Sequence, residues 1–331
     1  MNVHELGTSG LTVSAIGLGL AALGRPGYIN LGHAVDLDER YALSAMEART
    51  HAVLDAAWSA GVRYFDAARS YGRAESFLAS WLHAREIPPE QVTVGSKWGY
   101  IYTAGWQVDA DVHEVKEHSL ALLRRQHGES VARLGPHLDL YQIHSATLSS
   151  GVLENDPVLN QLARLRSAGL RIGLSLSGER QADTLYRALE IRRDGRLLFD
   201  SVQATWNLLE RSAGDALREA SAAGMGVIVK EALANGRLTP RNDIPAFASQ
   251  MALLQRLAEA HNTTVDALAL AAVLAQPWAD VVLSGAATVQ HLQANLGAER
   301  LHLGGRTFAE LDALIEAPAA YWQTRSNLPW N

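Results

Sequence analysis

Eight short apolar segments recur along the chain of 331 residues, and longer amphipathic stretches separate them. Each segment is rich in Val, Ile, Leu or aromatic residues and lies between turn residues, which is typical of strands buried on both faces. This alternation predicts either a (β/α)8 barrel or a long doubly wound sheet. The predicted strands are residues 15–21, 63–68, 92–97, 138–145, 170–176, 201–207, 226–233 and 279–286.

Apolar residues at helical spacing fill several of the intervening stretches. Gly61, Gly169 and Gly224 each stand just before a predicted strand, where glycine suits the left-handed residue that commonly ends a helix. Residues 22–48 are instead predicted to form a long loop over the top of the molecule, with a helix only at residues 39–48. The clearest helical patterns are residues 48–61, 110–126, 156–169 and 264–276.

Polar residues at the ends of the predicted strands favour one of the two folds. A barrel gathers the C-terminal ends of all its strands at one face, whereas an open sheet concentrates polar residues at one switch point. We therefore predict an α/β protein with a (β/α)8 TIM barrel, formed as a single domain over residues 1–331. The polar residues at strand ends are Asp66, Lys97, His144, Ser175, Gln203, Glu231 and Ser284.

A dinucleotide-binding fingerprint of the Rossmann type offers a rival interpretation. Residues 17–22 read Gly-Leu-Gly-Leu-Ala-Ala and follow the first predicted strand. The fingerprint requires a helix directly after it, but residues 23–32 contain Pro26 and three glycines. The barrel therefore remains the preferred fold.

Composition excludes several classes of partner and site. Lys and Arg number 29 against 35 Asp and Glu, a net charge of −6, and no basic run is present, so we expect no nucleic acid and no membrane surface as partner. The absence of cysteine excludes disulfides, thiolate metal sites and a cysteine nucleophile. No signal peptide or long apolar run is evident, which predicts a cytoplasmic protein. His113 and His118 are five residues apart, the wrong spacing for one helical face, and we predict no metal site and solvated histidines outside position 144.

Four ionisable residues lie at or just after three predicted strands: Asp66, Tyr71, Lys97 and His144. A charge at the end of an apolar strand costs free energy unless it is paired or hydrated, so Asp66 is expected to pair with Lys97 from the neighbouring strand. Tyr71 follows Asp66 by five residues and can turn back over the barrel mouth. An adjacent ammonium is expected to lower the pKa of the phenol and make it a better acid.

These residues form an acid able to protonate a carbonyl oxygen, and His144 is of the right type to hydrogen-bond the phenol or the substrate. No obvious nucleophile accompanies them, so hydride from a bound dinucleotide is an economical partner. Taken alone, Asp66 and Lys97 would more often be a structural ion pair, and His144 would usually be a satisfied core histidine.

Motifs in this order resemble those of the aldo-keto reductase superfamily over nearly the whole chain. The segments around the four ionisable residues match the catalytic positions of that family in type, order and approximate spacing. The first of the matching segments resembles the N-terminal β-hairpin and first strand of that family, and later segments resemble its cofactor-binding segments after strands five to eight. The matching segments are residues 6–24, 65–72, 95–99, 141–145, 172–178, 203–211, 226–238 and 283–296.

This resemblance implies an NADP- or NAD-dependent oxidoreductase that interconverts a carbonyl and an alcohol. Tyr71 would be the general acid/base, Lys97 would lower its pKa, Asp66 would orient Lys97 and His144 would position the carbonyl.

The resemblance also implies a cofactor site. Ser175 and Gln203 would hydrogen-bond the nicotinamide carboxamide, Trp206 would stack on its ring, and residues 230–238 would wrap the pyrophosphate. The residues expected at the cofactor are Gly19, Ser175, Gln203, Trp206, Lys230, Glu231, Leu233, Gly236, Gly285, Ala286, Thr288, Gln293 and Asn295.

Three departures from the family pattern concern that cofactor. Leu176 stands where relatives carry Asn, which removes an amide contact. Glu231 would repel the pyrophosphate unless Lys230 neutralises it. Ala286 and Ala287 stand where many relatives carry a cation for the 2′-phosphate, so the choice between NADP and NAD stays open.

A small-molecule carbonyl or alcohol is the expected substrate. The 22–48 loop, the rings of Trp98 and Tyr100 and the aromatic tail after Pro318 would form its pocket. The substrate itself, the direction of the reaction and the oligomeric state remain open.

Two other functions stay in view. One is a dinucleotide-loaded regulatory barrel with little turnover. The other is a lyase that forms a Schiff base through Lys97 or Lys230.

Overall fold

A closed barrel of eight parallel strands is the central element of the computed structural model, which describes residues 3–331. The strands follow one another around the barrel in chain order. All eight predicted strands are confirmed, and the doubly wound sheet is excluded. The strands are β1 (Ile16–Gly19), β2 (Tyr64–Asp66), β3 (Thr93–Trp98), β4 (Leu138–Ala146), β5 (Arg171–Leu176), β6 (Ser201–Thr205), β7 (Gly226–Lys230) and β8 (Val281–Ser284).

Twelve α-helices occur in the described residues, most of them packed around the barrel. They are α1 (His33–Asp36), α2 (Leu43–Ser59), α3 (Ala74–Ala84), α4 (Leu120–Leu134), α5 (Asp156–Ser167), α6 (Gln181–Glu190), α7 (Gly214–Ala222), α8 (Ala248–Ala260), α9 (Val265–Leu274), α10 (Val289–Leu296), α11 (Gly305–Leu311) and α12 (Pro318–Ser326). Within this part of the chain, no helix combines the length and apolar character needed to cross a membrane.

Two predicted helix starts are wrong. The helix expected from residue 110 begins at Leu120, because Glu114–Lys116 instead pairs antiparallel with Tyr100–Tyr102. Ser119 caps that helix by accepting the Leu122 N–H at 3.1 Å. The helix expected from residue 39 begins at Leu43. Asp38 and Glu39 have φ values of 49° and 51°, which a helix does not admit.

An N-terminal hairpin seals the bottom of the barrel. Its strands, Val3–Glu5 and Thr12–Ser14, pair antiparallel, and the fully buried Leu6 lies between them. A Cβ atom on Gly226 would lie 2.4 Å from Leu6 Cγ, so this contact requires glycine at position 226. The bottom is therefore filled by apolar side chains, and the polar strand ends face the opposite mouth.

Two segments lie over that mouth. The first is the 22–48 loop, as predicted, with α1 inside it. The second is the C-terminal tail after α12. Tyr28 and Asn331 exchange two backbone hydrogen bonds of 3.1 Å, so the loop and the tail pair with each other. The turn after β1 leads into this loop and not into a helix, which excludes the Rossmann interpretation of residues 17–22.

Candidate active site

The ion pair of Asp66 and Lys97 forms the floor of the mouth, as the sequence predicts. Asp66 is 1% exposed and Lys97 is fully buried. Lys97 Nζ donates to Asp66 Oδ2 and, at 2.9 Å, to the Ala67 carbonyl. Asp66 Oδ1 accepts further hydrogen bonds from Tyr64, Gln142 and Gln203 at 3.0 to 3.2 Å. A buried charge so fully satisfied holds one fixed geometry.

Tyr71 lies directly over this pair, with Lys97 Nζ 4.8 Å from the centre of its ring. The expected lowering of its pKa is wrong for the free site: burial, followed by the charge of Asp66, raises the pKa of Tyr71 well above its ordinary value. Tyr71 is therefore a protonated phenol across the neutral range.

His144 stands beside Tyr71 with the two rings edge to face and their centres 5.4 Å apart. Burial lowers the pKa of His144 well below its usual value, and Lys97 and Arg25 lower it further. The imidazole is therefore neutral and able to donate one hydrogen bond. Its Nδ1 lies 3.4 Å from Ser70 Oγ. Tyr100, predicted to line the pocket, packs its ring 4.9 Å from that of His144.

A second buried cation, Arg25, was not predicted. It is 3% exposed, and its guanidinium carbon lies 5.3 Å from the Tyr71 ring and 4.7 Å from the Trp330 ring. Its Nη1 donates to the Ser70 carbonyl at 3.1 Å and to Glu114 at 2.9 Å. Arg25 is the foremost cation that lowers the pKa of Tyr71. Through Arg25, the 22–48 loop, the C-terminal tail and the hairpin of Tyr100–Tyr102 with Glu114–Lys116 therefore meet beside the Tyr71 ring.

The prediction that His118 is solvated is wrong, because its side chain packs inside the protein. Its Nε2 donates to the His144 carbonyl at 3.0 Å, and its ring packs edge-on against Trp98. Burial lowers the pKa of His118 to about 4. It therefore buttresses the strand that carries His144.

The negative charge of Glu231, which the sequence leaves facing the predicted pyrophosphate site, is neutralised by a residue of α12. Arg325 of α12 donates to both Glu231 oxygens, at 2.6 and 2.8 Å for the shortest contacts, and Lys230 Nζ lies 3.5 Å away. Arg325 and Lys230 hold the pKa of Glu231 down at about 2, against the effect of burial. Arg325, which sequence reasoning missed, is thus the main neutralising partner, with Lys230 second.

One cavity of about 590 Å³ connects these groups and continues past them. This volume is in the ordinary range for a ligand site. Along it, Glu231, Ala234, Asn235 and Gly236 have φ values between 49° and 92°, and the buried Asn235 Oδ1 has no hydrogen-bond partner among the described residues. Strained backbone and an unused buried polar atom commonly mark ligand sites. The groove therefore suits a long polar ligand such as a dinucleotide.

The cavity brings together most of the predicted site. Lys97 lies just beneath it. The predicted residues that line it are Gly19, Asp66, Tyr71, Tyr100, His144, Gln203, Lys230, Glu231, Leu233, Gly236, Gly285, Ala286 and Asn295.

Three predicted residues do not line the cavity, and strand alternation accounts for two of them. Because Gln203 points inward, Trp206 points to the helices; it is 5% exposed and packs edge-on against Trp278 at 5.5 Å. Lys97 points inward, so Trp98 is fully buried behind the strand. Ser175 lies one pleat below the cavity, where its Oγ accepts the Ser145 N–H at 2.8 Å, and Ser177 lines the cavity instead.

Two further predicted residues lie on α10 or at its start. Thr288 caps the helix by accepting the His291 N–H at 3.2 Å. Gln293 is exposed on the side of α10 that faces away from the cavity, whereas Gln290 and His291 line it.

Comparisons with known proteins agree on one family. A family model described as Aldo/keto reductase family matches residues 15–316. Pyridoxal 4-dehydrogenase of Microbacterium luteolum is 32% identical over 162 residues, which cover 43% of this chain and 42% of that protein. Aldo-keto reductase str7 of Strobilurus tenacellus is 27% identical over 328 residues, covering 92% and 89%. The holo form of an aldo-keto reductase from Bacillus halodurans superposes with a TM-score of 0.71 at 20% identity, covering 96% and 97%, which shows a shared fold.

Proposed function

The chain belongs to the aldo/keto reductase family and is an oxidoreductase of the carbonyl/alcohol type, and from that premise we propose that it interconverts a small aldehyde or ketone and its alcohol with a nicotinamide dinucleotide. One observation carries the proposal: Tyr71 and the neutral His144 lie side by side in a cavity that continues past them to Gly236 and Asn295. Bound nicotinamide supplies or accepts the hydride at its C4.

Tyr71 is proposed as the residue that moves the proton. As a carbonyl becomes an alkoxide, its oxygen becomes a stronger base than a phenolate, so a phenol of raised pKa still donates to it. The neutral His144 donates a hydrogen bond to the same oxygen and orients it. The Asp66–Lys97 pair holds the phenol from below through the Lys97 contact.

The cofactor groove is proposed to run from Gln203 past residues 230–236 to Ser284 and Asn295. Lys230 and the loop of positive φ values would face the pyrophosphate. Asn295 Nδ2 donates to Ser284 Oγ at 2.9 Å, which fixes that far end. Glu231 does not oppose the phosphates, because Arg325 and Lys230 neutralise it.

The experiment is a titration followed by turnover. Purified protein is titrated with reduced dinucleotide while tryptophan fluorescence is recorded, and then an aldehyde panel is added while nicotinamide absorbance is followed. Saturable quenching followed by aldehyde-dependent oxidation is the expected result. Saturable binding with no turnover on any aldehyde or ketone would instead favour a regulatory barrel.

Lys230 gives the Schiff-base lyase one supporting observation. It lines the cavity, and burial lowers its pKa to about 8, which leaves part of the amine neutral near pH 8. Lys97 is fully buried and cannot be attacked in this geometry. Borohydride trapping of a carbonyl compound on Lys230, absent in Lys230→Arg, would establish lyase chemistry.

A further inference from the structure

The far end of the cavity is built from α10 and from two loops that meet across it. Leu31 N donates to the Asn235 carbonyl at 3.1 Å, and Arg241 Nη1 donates to the Gly32 carbonyl at 3.2 Å. A dinucleotide with its nicotinamide at Tyr71 would extend its adenosine half along the cavity toward this end. The inference below therefore rests on the proposed function.

Each cation in the cavity has a carboxylate partner. Four cations and five carboxylates line it, and one of those carboxylates, Asp66, is paired with Lys97 beneath. The lining therefore has no surplus of positive charge for a strongly anionic ligand. The pairs are Arg25 with Glu114, Lys230 and Arg325 with Glu231, and Arg241 with Asp36, while Asp266 has no cation partner among the described residues.

A three-residue cluster of Asp36, Arg241 and His291 lies at the far end. Arg241 Nη2 donates to Asp36 Oδ1 and lies 2.9 Å from His291 Nε2. Because a guanidinium can only donate, His291 Nε2 is the acceptor in this contact. His291 Nδ1 lies 3.7 Å from Asp36 Oδ2. The Arg241–Asp36 pair in this cluster joins one positive and one negative charge.

We propose that Asp36 makes the chain select NAD(H) over NADP(H) by neutralising Arg241, the one permanent cation that lines this end of the described cavity. The two cofactors differ by a phosphate on the adenosine ribose, which adds a charge of about −1.5 to −2. A carboxylate accepts hydrogen bonds from ribose hydroxyls but repels a phosphate. Ala286 and Ala287, which line the same end, add no charge.

The test measures dissociation constants for NADH and NADPH by tryptophan fluorescence at one fixed ionic strength. Wild-type protein is expected to bind NADH about tenfold more tightly than NADPH. Asp36→Asn frees Arg241 for a charge-assisted bond, so NADPH is expected to bind about tenfold more tightly, with NADH changed less than about twofold. Arg241→Met added to Asp36→Asn is expected to abolish that gain.

Asp266→Asn is the matched control, because it removes a carboxylate of the same cavity without freeing a guanidinium. An equal gain in Asp266→Asn would attribute the effect to overall charge and overturn the role of Asp36. Unfolding temperatures of the variants are expected to stay close to wild type because both residues lie on loop segments and Arg241 is one-third exposed, and they separate binding from folding.

Tighter binding of NADPH than of NADH by wild-type protein would overturn this inference alone. Binding of neither dinucleotide by folded protein would overturn the proposed function and this inference with it.

Discussion

Two salt bridges, Asp66–Lys97 and Asp36–Arg241, lie at opposite ends of one cavity and differ in how deeply they are buried. At the end that holds Tyr71, the Lys97 side chain is 0% and the Asp66 side chain 2% exposed, and Asp66 accepts three further hydrogen bonds. At the far end, the Arg241 side chain is 34% and that of Asp36 10% exposed. The first pair fixes a geometry, whereas the second sets a charge balance that a single substitution can change.

This difference follows from the elements that carry the pairs. Asp66 and Lys97 lie on adjacent strands, with Asp66 in register with Gly95, so the barrel itself positions them. Asp36 and Arg241 come from loops that contact each other only across the groove. Loops change with little cost to the fold, so substitution of Asp36 or Arg241 should disturb the barrel less than substitution of Asp66 or Lys97.

Lys97→Met should give the largest effect, because it leaves the Asp66 carboxylate buried without its cation. We expect a loss of about 3–5 kcal/mol in the free energy of unfolding, measured by chemical denaturation, together with loss of turnover. Arg241→Met is the matched control at the exposed pair, with an expected loss of at most about 1 kcal/mol. Equal losses of unfolding free energy in the two variants would show that the two salt bridges do not differ in their contribution to stability.

The pH dependence of cofactor affinity should give the next effect. The pKa of Lys230 is lowered from 10.5 to about 8, with burial the largest cause, so its positive charge is present below that pH and is lost above it. Dinucleotide affinity should fall as pH rises above 8, by at most about tenfold per unit. Titrations between pH 7 and about 9.5 would measure it.

Lys230→Arg is the control for that titration, because arginine stays charged over the whole range. The dinucleotide affinity of the Lys230→Arg variant should not change between the same pH values. A wild-type profile as flat as that of Lys230→Arg would show that the Lys230 charge does not contact the phosphates.

Trp206→Phe should give the smallest effect on binding. Since Trp206 packs against Trp278 behind the strand, the substitution should cost about 1–2 kcal/mol of stability and change the NADH dissociation constant less than about twofold. Calorimetric titration, which does not depend on the removed fluorophore, measures the constant. A tenfold weaker constant would restore the ring-stacking role that the family resemblance implies.

The strand positions could be predicted, and so could the meeting of Asp66, Lys97 and His144 at the barrel mouth, because both depend on local patterns. Apolar runs with polar ends mark β2, β3 and β4, and the barrel brings those ends to one face. The alternation that sends Trp206 outward is also local, since Gln203 three residues earlier already points in. That error was therefore avoidable.

The groups that sequence reasoning missed reach the site through distant contacts. Arg325 meets Glu231 across 94 positions of the chain, and Arg25 meets Glu114 across 89. No periodicity in the sequence predicts pairs between residues so far apart in the chain. The direction of the Tyr71 pKa was missed for a related reason, because it depends on burial and on the balance of several charges that only the folded chain defines.

The most direct test of the central claim is a comparison of wild type and Tyr71→Phe in two measurements on the same preparations. Phenylalanine keeps the ring and removes only the hydroxyl that we propose as the proton donor. We expect aldehyde reduction to fall by about 10²–10⁴-fold while the dissociation constant for reduced dinucleotide changes less than about twofold. Turnover within a few fold of wild type would contradict it.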